Sequence, residues 1–400
     1  MITSNKQVEK MPIRQRADDD TSGLPAVKSS LLSLDGQLWL FTGQGDRVVV
    51  KLDKEEPDVF IAARYLSFPP GSRILVMNGQ KGHVALGLAI SNPECNFEVL
   101  ETHLGNVEII KRNLVANYSV RNLKLVADVD QETLFQAVVY PVSGYTALSI
   151  VEDTICIGGS KLAKNAPFYL IGNTKNGVER HAGILAEKIG ETNLSKIKKG
   201  VRIYEALLSK RISQSDIYRK IAFDVLGHHF EVETAAGLFS KDNLDIGTRF
   251  LLESVPTTPF ERLLDAACGW GAIGIVKSAN STGEIVMSDI DTRATKCAAH
   301  NAKVLGLEGR VSVVATDDLK QIEGSFDLIL SNPPFHAETN ELVGLFEGIR
   351  DKLAKRGEFY FVVHETYVKK LTDIGSLVFR QVTEFAHDDL IQFRVFKVRK

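Results

Sequence analysis

Asn332-Pro333-Pro334-Phe335, followed by His336, closes an apolar strand-like run from Phe326 to Leu330. The side-chain carbonyl of Asn332 can accept a hydrogen bond from a planar exocyclic amine. The two prolines, which lack N–H groups, stiffen a turn whose carbonyl accepts a second. An aromatic ring at Phe335 can stack on the ring that carries the amine. These residue types in this order suit chemistry at an amine nitrogen. An Asn-Pro-Pro run is also an ordinary turn, so the chemistry depends on what the rest of the chain places beside it.

Upstream, Leu263 to Gly274 reads as an apolar strand, a turn carrying Gly269 and Gly271, and a helix start. Glycines let a backbone approach a ligand closely, and the following helix offers unpaired N–H groups. The next strand, Glu284 to Met287, runs into Ser288-Asp289-Ile290-Asp291. That is close to the roughly 20-residue spacing at which a carboxylate reaches a ribose hydroxyl. A third strand, Val311 to Val314, ends at Asp317-Asp318. Three successive strands thus end in loops bearing glycines or acids, the edge at which an open α/β sheet binds its ligand.

Asp265 to Gly274, Asp289, Asp317 and Asn332 to Phe335 resemble the ordered motifs of class I S-adenosylmethionine-dependent methyltransferases, in the branch that methylates amino groups. More narrowly, Gly237 to Ser240, Leu244 to Leu252 and Asn332 to His336 are similar to segments of the two-domain ribosomal RNA guanine-N2 methyltransferases, which serve the small and the large subunit. The resemblance implies an α/β chain of two tandem Rossmann-like methyltransferase domains, with S-adenosylmethionine as cofactor. It implies cofactor contacts from Asp265, Ala267, Gly269, Gly271, Asp289, Ile290, Asp317, Asp318 and Asn332. Asp289 is expected at the ribose, Asp317 at the adenine amine and Asp265 ordering the turn. Asn332, Pro333, Pro334 and Phe335 are the expected catalytic set, with Phe239 and Thr248 as lesser contacts. The family pattern has glycine where this chain has Ala267. The motif alone also suits a transfer RNA or DNA amino-methyltransferase and a protein glutamine N5-methyltransferase, and a non-enzymatic RNA-binding or assembly role is a further alternative.

The first half repeats the second with a period of roughly 190 residues, a pattern that signals duplicated structural units. Arg73 to Gly82 lies against Arg262 to Gly271 with a small gap, Glu101 falls on Asp289, Asn113 on Asn301, and Asp128 near Asp317. Val139 to Val142 falls on Ser331 to Pro334, so that Tyr140 stands for Asn332, and an apolar residue stands for Asp265. The expected organisation is a flexible extension over 1–27, a degenerate methyltransferase-like domain over 28–215 serving RNA binding or as a scaffold, and a catalytic domain over 216–400.

The length of 400 residues exceeds the ~250 to 300 at which a single core stops growing, consistent with two domains. No signal peptide and no membrane-spanning run is evident, which points to a cytoplasmic protein with no membrane partner. Cys95, Cys156, Cys268 and Cys297 lack CxxC or His-containing ligand spacing, so neither zinc nor disulfides are expected. The net charge of −2 departs from the surplus of lysine and arginine that phosphate binding favours. Glu187 to Lys220 is locally basic, with nine lysines and arginines against four acids. It is read either as an RNA-facing stretch leading into a linker or as a solvated helix face. Asp224 to Glu233 reads as an alternating strand, on which the adjacent His228 and His229 face opposite ways and are read as structural. Glu358 to Val363 and Leu390 to Arg399 read as strands that suit the antiparallel pair the resemblance implies at the sheet edge. The expected partner is ribosomal RNA or a ribosomal subunit, and the expected state a monomer.

Overall fold

A computed structural model of the chain describes residues 57–77, 82–117, 120–130, 132–142, 148–198, 200–209 and 211–399, together with strand backbone at 37–41 and 47–51. The expected extension over 1–27 and Asn78 to Lys81 of the first glycine segment lie outside these residues. The chain divides into two compact units, the second continuing from Tyr218.

In chain order the first half holds β1 (Gln37–Phe41), β2 (Arg47–Lys51), α1 (Pro57–Tyr65), β3 (Arg73–Met77), α2 (His83–Ser91), β4 (Asn96–Leu100), α3 (Leu104–Ala116) and β5 (Leu123–Val126). It continues with β6 (Ala137–Pro141), α4 (Leu148–Ser160), β7 (Pro167–Asn173), α5 (Val178–Lys188), β8 (Thr192–Lys198) and β9 (Val201–Leu207). The second half opens with a hairpin of β10 (Tyr218–Val225) and β11 (His228–Ala235), then α6 (Ile246–Ser254), β12 (Arg262–Ala266), α7 (Ala272–Ala279), β13 (Glu284–Asp289), α8 (Thr292–Val304) and β14 (Val311–Ala315). It ends with β15 (Phe326–Ser331), α9 (Thr339–Lys352), β16 (Leu353–His364), α10 (Val368–Val378), β17 (Gln381–Asp388) and β18 (Phe393–Arg399).

Each half forms a seven-stranded sheet, ordered β5-β4-β3-β6-β7-β9-β8 in one and β14-β13-β12-β15-β16-β18-β17 in the other. The two orders correspond strand for strand, as the repeat predicts. Strand register sharpens the correspondence at its chemically important end. Arg73 pairs with Asn96 as Arg262 pairs with Glu284, and Val76 pairs with Val139 as Asp265 pairs with Leu330. Counting on, Tyr140 stands for Ser331, and Pro141 for Asn332. The sequence comparison put Tyr140 there; a short strand carries no marker that fixes its register to one residue.

In the second half, β12 to β16 run parallel and are covered on both faces, so their sequences are apolar almost throughout. The faces separate with the two-residue period of a strand. Leu263, Ile285, Met287, Leu328 and Leu330 pack with α6, α7 and α8, whereas Leu264, Val286, Ile329, Phe359 and Phe361 pack with α9 and α10. The chain leaves β12 toward β13 on one side, and β15 lies on the other. A crevice therefore opens beyond the carboxyl ends of β12 and β15, where the strand order reverses.

Three elements differ in part from the sequence reading. Asp224 to Glu233, expected as one alternating strand, is the end of β10, a two-residue turn and most of β11. Leu226 and Gly227 make that turn at φ 52 and 79, and a leucine gives no turn signal. The segments at Glu358 and Leu390, expected as an antiparallel pair at the sheet edge, are β16 and β18, which do pair antiparallel; the edge itself is β17, beyond β18. The basic stretch comprises the end of α5, the β8–β9 hairpin, the connection into the second unit and the start of β10, so it does lead into the linker but is not one helix face. Within it Lys188 pairs with Glu152 and Glu187, Arg202 with Glu179, and Arg219 with Asp242, while Lys199 and Lys210 lie outside the described residues.

Candidate active site

A cavity of about 650 Å³ occupies the crevice of the second half, a size usual for small-molecule sites. Of the residues expected at the site, Ala267, Gly269, Asp289, Ile290, Asp317, Asn332, Pro333, Pro334 and Phe335 line it. Phe239 and Thr248 do so as well. Asp265, Gly271 and Asp318 do not.

The glycine turn is built from β12 outward. Ala267 sits at φ 61, in the left-handed region that costs an alanine roughly 1–2 kcal/mol, which is why the family pattern favours glycine there. Gly269 follows at φ 57, and a Cβ on it would meet nothing within 4 Å, so its bare backbone fronts open space. Gly271, at φ 93, precedes α7 and packs inward: a Cβ there would lie 3.0 Å from Met287 Sδ and 3.2 Å from the Ala298 methyl. Asp265 is fully buried, and its Oδ2 accepts from the backbone N–H of Gly274 at 2.9 Å, fastening the first turn of α7 to β12. Oδ1 has no hydrogen-bond partner among the described residues. Burial pushes this carboxyl up to about 7, and the neighbouring Asp289 charge adds to the shift.

At the end of β13 the Asp289 carboxylate accepts from Gly269 N–H at 2.8 Å and from Asp291 N–H at 2.9 Å. It thereby ties the glycine turn to the next loop, and burial again holds its pKa above the ordinary value. Asp317 is exposed on the cavity wall, whereas Asp318 caps a short turn by accepting from Lys320 N–H at 2.9 Å. Asn301 on α8 braces the assembly from behind: its amide donates to the carbonyls of Glu233 and Trp270 and accepts from Glu233 N–H.

Asn332 follows directly on β15. Its Nδ2 donates to Asp245 Oδ2 and to Thr248 Oγ1, both at 2.9 Å. With both amide protons engaged, the group left to face a ligand is the carbonyl oxygen, an acceptor. The Pro333 carbonyl already accepts from Phe335 N–H at 2.8 Å, and Pro334 accepts from Ala337 N–H at 2.7 Å, so the motif is a tight double turn. Phe335 stacks on Tyr367 with ring centres 4.9 Å apart, and the Tyr367 hydroxyl meets His336 Nδ1 at 3.0 Å. Lys370 donates to the carbonyls of Phe335 and Ala337 at 3.1 and 2.7 Å.

Sequence reasoning missed Tyr367 and Lys370 and gave Asp245 no role of its own. The one local signal for Asp245 was an acidic cap followed three residues later by Thr248 at the start of an amphipathic stretch. His228 and His229 bond separately, to Asn280 at 2.9 Å and to Asp224 at 2.9 Å. Among the described residues no group of three or more histidines, cysteines or acids is placed to hold a metal. No helix of those residues is long and apolar enough to cross a membrane. Cys268, inside the glycine turn, is a free thiol, and burial raises its pKa well above the thiol's usual range.

The sheet order, the glycine turn and the Asn-Pro-Pro-Phe turn at the strand-order reversal define a Rossmann-like, class I S-adenosylmethionine-dependent methyltransferase. Residues 229–397 match the family model of the methyltransferase small domain. The chain is 30% identical over 310 residues to the ribosomal RNA large subunit methyltransferase G of Stutzerimonas stutzeri, an alignment covering 74% of this chain and 79% of that protein. To the ribosomal RNA small subunit methyltransferase C of Pseudoalteromonas translucida it is 28% identical over 270 residues, covering 66% and 76%. The solved structure of the T. thermophilus 16S rRNA N2 G1207 methyltransferase, bound to AdoMet and guanosine, superposes with a TM-score of 0.69 at 18% identity, over 91% of this chain and 98% of that one. This chain belongs to the family of ribosomal RNA methyltransferases C and G.

Proposed function

We propose that this protein transfers a methyl group from S-adenosylmethionine to the exocyclic N2 amine of a guanine in ribosomal RNA or a ribosomal subunit, acting as a monomer in the cytoplasm. The observation that carries the proposal is the fixed polarity of Asn332, whose engaged amide protons leave an acceptor facing the cavity. Guanine N2 is a poor nucleophile because its lone pair is delocalised into the ring. Accepting one of its protons at Asn332 Oδ1 favours a pyramidal nitrogen and orients the lone pair. The Pro333 carbonyl, with one lone pair already taken by Phe335 N–H, is the secondary acceptor. Phe335, steadied by Tyr367, offers a face on which the base stacks.

The residues fit S-adenosylmethionine. The bare Gly269 backbone gives close access to its methionine end, and Asp289 and Asp317 on the wall are acceptors for ribose hydroxyls and the adenine amine. When bound, the cofactor supplies an electrophilic methyl on a sulfonium. Holding the amine in line with that methyl is the protein's main contribution to rate. The target base must leave its stack to enter a cavity of this kind, so an unpaired or distorted RNA site is the expected substrate.

The test is incubation with tritiated S-adenosylmethionine and, separately, unmodified ribosomal RNA, each ribosomal subunit, transfer RNA and release factor, followed by digestion of labelled products. Label in N2-methylguanosine from ribosomal material, abolished by Asn332→Ala while cofactor binding persists, is expected. Label confined to transfer RNA or protein, or full activity of Asn332→Ala, would overturn the proposal.

A further inference from the structure

We propose that Asp245 is a positioning residue that sets the hydrogen-bond polarity of Asn332, and through it the preference of the site for an amine. This deepens the proposal above and rests on it. A carboxamide is two-faced: rotation by 180° about its last bond exchanges a donor for an acceptor at nearly the same place. Nothing in Asn332 itself decides which face meets the ligand. Its partners decide it, because an ionised carboxylate can only accept. Asp245 Oδ2 lies 2.9 Å from the amide nitrogen, so a flipped amide would set two acceptor oxygens against each other in a half-buried place.

Thr248 is made to agree. Its hydroxyl donates to Asp245 Oδ2 at 3.2 Å and so turns a lone pair toward Asn332 Nδ2 at 2.9 Å. One carboxylate oxygen thus orients both the amide and the hydroxyl that touches it.

Asp245 is itself held in place. It caps α6, with Oδ2 accepting Thr248 N–H at 2.8 Å. Helix α6 sits tightly on the sheet at Gly247, where a Cβ would fall 2.6 Å from the Phe393 ring. The cap and the polarity switch can be separated by substitution, since asparagine caps a helix about as well as aspartate does. Unlike aspartate, asparagine can donate to Asn332 Oδ1 and so permits the flipped amide.

The experiment compares wild type, Asp245→Asn, Thr248→Val, Thr248→Ser, Asn332→Ala and the Asp245→Asn/Asn332→Ala double variant, on the ribosomal substrate labelled by wild type. For Asp245→Asn we expect unchanged thermal stability and S-adenosylmethionine affinity, with kcat lowered ~10²-fold, the usual scale for losing one preorganised polar contact. Thr248→Val should lose less, and Thr248→Ser should recover it. In the Asn332→Ala background Asp245→Asn should cost nothing further, because its effect runs through the amide. Without any substrate, the Asn332 side-chain amide protons should be slow to exchange by NMR in wild type and fast in Asp245→Asn. Wild-type kcat in Asp245→Asn, or a loss that adds to that of Asn332→Ala, would overturn the positioning role while leaving amine methylation standing. Full activity of Asn332→Ala would overturn both.

Discussion

Asp265 pairs with one backbone N–H and otherwise faces a fully buried environment, which makes it a charge the fold tolerates rather than exploits. Its pKa is about 7 in the native protein against an ordinary value of 3.8. The native state therefore binds more protons than the unfolded chain between roughly pH 4 and pH 7. Across that window this residue makes stability fall as pH rises, by at most about 1.4 kcal/mol per pH unit. Asp265→Asn keeps an acceptor for Gly274 N–H and removes the titration. Denaturant melts from pH 4 to pH 7 should show the variant gaining on wild type as pH rises; a constant difference across the window would refute this assignment. Asp265 and the Asn-Pro-Pro-Phe run were legible in the sequence because their neighbours in the chain are also their neighbours in the fold. The bonds from Asn332 to Asp245 and Thr248 span 87 and 84 residues, and no local pattern announces such a pairing.

The elements nearest the site were legible where burial on both faces or a glycine turn marked them, as for β12, β13 and β15. Strand β17 was not, because most of its side chains face solvent and show no clean alternation. Helix α10 reads as an ordinary amphipathic segment, yet Lys370 in its first turn holds the carbonyls of Phe335 and Ala337, and Tyr367 just before it backs the Phe335 ring. One element thus fixes the far side of the Asn-Pro-Pro-Phe turn. Lys370→Met keeps the aliphatic stem and deletes both bonds. We expect about a 10-fold rise in KM for the RNA, the equivalent of roughly 1.4 kcal/mol, with S-adenosylmethionine affinity within two-fold of wild type. Equal loss of cofactor affinity would mean that α10 supports the whole cavity and not the base-facing turn alone.

At the scale of the whole chain, the repeat was legible because two sheets with corresponding strand order must keep similar apolar runs at similar intervals, even where their loops diverge. What separates the copies is chemistry at two matched places. Val76 stands for Asp265 and Pro141 for Asn332, whereas Glu101 keeps a carboxylate where the second copy has Asp289. Proline offers neither a side-chain acceptor nor an N–H, and valine cannot hold the first turn of α2 as Asp265 holds that of α7. Both N-capping glycines survive, Gly82 at φ 76 and Gly271 at φ 93, so the first copy keeps the left-handed entry into its helix. We expect it to bind no cofactor, leaving RNA contact or support as its role. Isothermal titration of the intact protein should give one equivalent of S-adenosylmethionine per chain. Asp289→Ala should weaken that single site by about 10- to 100-fold, the cost of losing a hydrogen bond to a charged group. Two equivalents in wild type, or one equivalent of undiminished affinity in Asp289→Ala, would show that the first copy has kept a nucleotide site despite losing the residues that do the chemistry.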